Sequence, residues 1–106
     1  MKPAELLAEL GRIGVVVEEG DDGRPVLDGA LTDELLAAAR DARWLFTWGL
    51  HGATSGHRWH ACDACQEVQL LNHGRGCGMT PGCRGRMVPA ASPVFRGSLS
   101  VGRRAS

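Results

Sequence analysis

Tyrosine is absent from this chain, phenylalanine occurs twice, and lysine once, at Lys2. Cysteine is missing from every position outside residues 62–83. Acidic residues nearly vanish after residue 50, where only Asp63 and Glu67 remain. No apolar run approaches the ~20 residues needed to cross a bilayer, which excludes a membrane-spanning helix. Met1-Lys2-Pro3-Ala4-Glu5 lacks the basic-then-apolar order of a secretory signal. A cytoplasmic location is the resulting expectation, with no membrane partner. Thiols stay reduced there, so metal ligation is favoured over disulfides; two disulfides are the alternative.

Large apolar side chains are also scarce in the second half, where Trp59, Val68, Leu70, Leu71, Val88 and Phe95 are among the few. A segment so poor in apolar volume does not easily fold on burial alone, and a bound metal is a usual remedy. The formal net charge of the 106 residues is zero. That zero conceals a split: residues 1–50 carry five basic and ten acidic side chains, and residues 51–106 carry seven arginines against two acids.

What is present in the first half reads as a small helix–hairpin–helix unit over residues 1–48. Pro3 and Glu5 suit a first helical turn, and Leu6, Leu7 and Leu10 share one face. Gly11 and Gly14 end that helix. Val15-Val16-Val17 reads as a strand, Glu19–Gly23 as a turn, and Arg24–Leu27 as a short return strand. Pro25 cannot donate to a ladder, which places the return strand at an edge. Thr32 is a good N-cap followed by two acids, and the helix it opens is expected to run to Leu45 or Trp48.

Glu5-Leu6-Leu7 with Leu10, then Gly14-Val15, then Gly29-Ala30-Leu31-Thr32-Asp33-Glu34-Leu35 and the run through Leu45 carry a resemblance. Residues 4–46 resemble the TubC-type N-terminal docking domain of hybrid nonribosomal peptide and polyketide synthetases. The resemblance implies an α-β-β-α-α fold, often a homodimer, that receives a short segment of a partner protein on its β-hairpin. The docking hairpin would be Val15, Val16 and Val17 with Val26 and Leu27. Similar small domains accompany zinc ribbons in actinobacterial and phage proteins. A plain alternative is a helix–hairpin–helix unit whose acidity serves solubility.

The second half is organised by cysteine. Cys62 and Cys65 form a C-x-x-C knuckle, and Cys77 and Cys83 follow after a hairpin-length segment. Two thiol pairs so spaced predict one structural Zn²⁺ held by Cys62, Cys65, Cys77 and Cys83. Residues 59–88 therefore read as a zinc ribbon with Glu67–Leu71 as its clear strand, and the segment Cys77–Arg86 resembles the second half of such ribbons. Gly76, Gly78 and Gly82 would permit its turns, and Trp59 would cover the metal. His60 or His73 could replace one thiol. Residues 49–58 read as a linker and residues 89–106 as a flexible Pro/Ser/Arg tail. The overall expectation is an α+β chain of two small units.

No deaminase or thioredoxin-like pattern surrounds the thiols, and Glu67 is the only glutamate in this half, so neither an enzyme nor a small-molecule substrate is expected. Two functions fit. One is a non-enzymatic zinc-binding adaptor that docks on a partner protein, or on itself, through residues 1–48, in a replication or transcription complex. The other is a direct nucleic-acid binder using residues 58–104, with Trp59, Arg75, Arg84 and Arg86 on one surface. A third arrangement has the acidic half packed against the basic half within one compact molecule.

Overall fold

Residues 1–96 are described by a computed structural model, and they form an α+β fold. Helix α1 (Pro3–Arg12) buries Leu6, Leu7 and Leu10. Its exposed face carries a bidentate contact from the Arg12 guanidinium to Glu9, at 3.0 and 2.7 Å. Gly14 turns the chain with a φ of 79°, a left-handed conformation that a side chain would resist. Strand β1 (Val16–Glu19) then pairs antiparallel with β2 (Pro25–Asp28).

Thr32 caps α2 (Asp33–Asp41), its hydroxyl accepting the Leu35 N–H at 3.2 Å. The single long helix expected from Thr32 to Trp48 is instead two. The chain leaves helical geometry at Ala42 (φ −121°, ψ 41°) and restarts as α3 (Arg43–Thr54). Residues 49–54, expected as linker, are the last turns of α3. Their glycines are points of close approach: a Cβ at Gly49 would overlap the Phe95 ring, and one at Gly52 would lie 2.9 Å from Leu70 Cδ2. Composition marked these glycines as breakers, whereas packing uses them as notches.

A four-stranded sheet follows, in the order β4-β3-β6-β5, from β3 (Arg58–Cys62), β4 (Val68–Leu71), β5 (Arg75–Gly76) and β6 (Arg86–Pro89). The chain then crosses back as β7 (Val94–Phe95), which pairs parallel with β1 and completes a three-stranded sheet, β2-β1-β7. The tail expected to be flexible from Pro89 is thus ordered as far as Arg96. The Arg96 N–H donates to the Val17 carbonyl at 2.9 Å, and its guanidinium lies 3.7 Å from Glu18. The rest of that expected tail, with Arg103 and Arg104, lies outside the described residues.

Both outer sides of the β1–β2 hairpin are blunted. The outer side of β1 is occupied by β7. On β2, the Gly20 N–H donating to the Arg24 carbonyl at 2.8 Å fixes which residues face β1. With the observed register, positions 24, 26 and 28 point inward and positions 25 and 27 outward. Pro25 has no N–H, so Leu27 supplies the one outward donor within β2.

One core joins the halves. Leu6, Leu7, Leu10, Val15, Val17 and Phe46 are buried together with Trp59 and Val68 of the four-stranded sheet, and Phe95 packs against them. The halves expected as separate units therefore share their apolar interior, as in the compact arrangement. Of the hairpin residues, Val15 and Val17 are buried in this core, Val16 and Leu27 are half-buried, and Val26 is exposed.

Candidate metal centre

The opposite face of the larger sheet builds the second, smaller cluster. Alternation along β3 sends Trp59 and Ala61 towards the main core and Cys62 to the other side, where it packs with Leu71 and Met87. Cys62 ends β3, and the β3–β4 connection carries Cys65. The connection between β5 and β6 brings in Cys77 and Cys83, so two hairpin ends meet.

All four Sγ atoms lie within 4.8 Å of one another. Cys62 and Cys83 are 3.6 Å apart and Cys65 and Cys77 are 3.7 Å apart, with all four as free thiols. Those separations are far beyond a disulfide bond. They match the edge of about 3.8 Å that a sulfur tetrahedron has when each metal–sulfur distance is ~2.3 Å. The four cysteines can hold a metal ion.

The surroundings fit ionised sulfur. The N–H groups of Ala64 and Cys65 point at Cys62 Sγ and that of Gly85 at Cys83 Sγ, each at 3.4 Å. The Thr80 hydroxyl donates to Cys65 Sγ at 3.3 Å. That hydroxyl, assisted by the Glu67 backbone, lowers the Cys65 thiol to about 6. At Cys83 the Gly85 N–H acts in the same direction, but the neighbouring sulfurs, Cys62 first, together with desolvation outweigh it and push the thiol up to about 12. Four adjacent sulfurs cannot all ionise without a compensating cation, which a divalent metal supplies.

Comparison with family models, curated proteins and solved structures finds no match. The metal centre is therefore read from its own geometry.

That geometry leaves the histidines out. His60 is 2 % exposed, and its Nδ1–H donates to the Arg58 carbonyl at 3.0 Å. It is not among the clustered ligands, and His73 is exposed outside them. Trp59 does not cover the sulfur cluster. It is 4 % exposed in the main core, edge-on to Trp44 with ring centroids 6.0 Å apart. Leu71 and Met87 take the covering role. Arg75, Arg84 and Arg86 are all exposed. Arg75 opposes Met87 in the ladder and Arg86 opposes Gly76, so alternation sets Arg75 and Arg86 on opposite faces of their hairpin rather than on one surface.

Several contributors were not evident from spacing. Gly82, with a φ of 79°, is a turn glycine as expected, but Gly76 and Gly78 have no such conformation. Gly85 is the sterically demanding one: a Cβ there would overlap Cys62 Sγ and lie 2.8 Å from Ala64 Cβ. Asp63 ties the two connections together, its Oδ1 accepting the Arg86 N–H at 3.0 Å. The sequence signal for Gly85 is its place two residues after a ligand, where the backbone must turn back across the metal site.

Proposed function

We propose that this protein is a non-enzymatic, zinc-stapled adaptor that docks on a partner protein. The observation that carries the reading is the donor set: four sulfurs within 4.8 Å of one another, enough to fill a tetrahedral zinc site without water or substrate. Zinc suits four thiolates, since it accepts a tetrahedron without redox chemistry. In this reading the metal holds two loops together, and recognition belongs to the surface around them.

Two outward-facing tryptophans support a protein partner. Trp44 and Trp48 are 46 % and 58 % exposed, one helical turn apart on α3. Large exposed aromatics are enriched where proteins meet. The direct nucleic-acid reading has less support, because Trp59 is buried and Arg75 and Arg86 face apart.

Full-length protein purified without added metal is expected to contain one equivalent of zinc per chain, lost on Cys77→Ser with Cys83→Ser. Metal-free protein of unchanged fold would sink the zinc part. For the adaptor part, a photo-crosslinking residue placed singly at Thr47, Trp48, Met79 and Val88 is expected to join the chain to one recurrent polypeptide in its own cells. Absence of any adduct at all four positions would count against docking.

A further inference from the structure

We propose that docking uses a groove between β2, α2 and α3, and that its occupant is an acidic peptide segment of the partner, anchored by apolar side chains rather than by strand addition. The inference rests on the adaptor reading and names its surface. The groove encloses about 600 Å³. Leu27, Leu31, Leu36 and Phe46 supply apolar lining, and Arg24, Arg40 and Arg43 supply charge.

The charge distribution points to the occupant. Residues 1–50 contain ten carboxylates, yet none lines the groove, whereas three of the four arginines of that half do. The fourth, Arg12, is held by Glu9 at 2.7 Å. Among the described residues, Arg40 and Arg43 form no ion pair, and Arg24 makes only an exposed 3.7 Å contact with Asp22. A cationic margin gathered in an acidic half, around an apolar lining that leaves Leu36 38 % exposed, is complementary to carboxylates flanking a leucine or aromatic side chain. Strand addition is a poor alternative, because β7 occupies the edge of β1 and Pro25 removes a donor from the edge of β2. Binding by side chains into the groove needs neither edge.

The test is selection of peptides of about 12 residues from a random displayed library on full-length, zinc-loaded protein, followed by anisotropy with the synthetic peptides. Enriched sequences are expected to carry at least two acids beside a leucine or aromatic residue, and their binding should weaken as salt rises. Arg40→Glu with Arg43→Glu should weaken them about tenfold and turn the preference of a repeated selection towards Lys/Arg-bearing peptides. Both arginines are exposed, so the fold is expected to survive the exchange. Three results would overturn the proposal: enriched peptides without acids, affinity indifferent to the charge reversal, or no enrichment. Peptides lost on Trp48→Ala but not on the charge reversal would move docking to the tryptophan face and leave the adaptor reading standing. Crosslinking failure at every position would instead remove that reading itself.

Discussion

A hydroxyl and a sulfur decide which thiol of the metal centre ionises first. Thr80 donates to Cys65 and holds it well below an ordinary thiol, while its neighbours hold Cys83 above one. A thiol with a lowered value is thiolate above that value and reacts as thiolate. In metal-free protein at pH 7, iodoacetamide should therefore modify Cys65 ahead of Cys83, as read by peptide mass spectrometry. Lowering the pH through about 6 should slow the alkylation of Cys65 as it protonates, and its lead should shrink only as the pH is raised into the ordinary thiol range. Thr80→Val should raise the Cys65 value and slow its alkylation at pH 7. An unchanged order in that variant would show that Thr80 does not set it. The ligands were legible from spacing alone because thiol chemistry needs few neighbours. Thr80 and Gly85 were not, since their roles depend on where the Cys77–Arg86 loop folds. Trp59 misled for a simpler reason: its place three residues before Cys62 suggests metal cover, but strand alternation sends it to the other face.

At the scale of elements, glycines and prolines carried two meanings that composition does not separate. Gly49 and Gly52 signal a linker by type, yet both lie inside α3 because Phe95 and Leu70 approach that helix closely. Helix propensity alone favours Gly→Ala by about 1 kcal/mol. At Gly49 overlap with the Phe95 ring should reverse that sign, costing roughly 1–3 kcal/mol as overpacking. The same variant should release β7, seen as faster hydrogen exchange of the Arg96 amide. In a double-mutant cycle, Gly49→Ala and Phe95→Ala should couple, since Phe95→Ala removes the ring that the added methyl meets. Additive effects would mean that the helix and the crossing strand are energetically independent. Local patterning did give the first helix, the hairpin and the Thr32 cap. Two-residue pairings such as β7 lie below what periodicity can resolve.

The whole molecule behaves differently from the sum of two units. Trp59 and Val68 of the larger sheet belong to the same buried core as Leu6, Leu10 and Phe46. Chelation should therefore lower the stability of the entire chain in one cooperative transition, rather than melting residues 59–88 and sparing the helices. A metal that binds only the folded chain adds stability according to the ratio of free metal to its dissociation constant, about 4 kcal/mol at a thousandfold excess. Differential scanning calorimetry with and without chelator distinguishes the cases: two separated transitions, only the later one unmoved by chelator, would argue for independent units. The charge split read from the sequence does little to join the halves. Across the residue 50 boundary, the ion pair between described residues is Arg96 with Glu18, at 3.7 Å and largely exposed, and such pairs contribute little. Apolar burial does the joining.

The crossing of β7 also sets an order of events in synthesis. Strand β1 is made well before β7, and its outer side is not closed until Val94 and Phe95 have left the ribosome. For most of its birth the chain carries an open strand edge beside Val15 and Val17, the kind of edge that templates pairing with other chains. A chain ended before Val94 is thus expected to be stickier than one that carries β7, because pairing of β7 is what closes this side of β1.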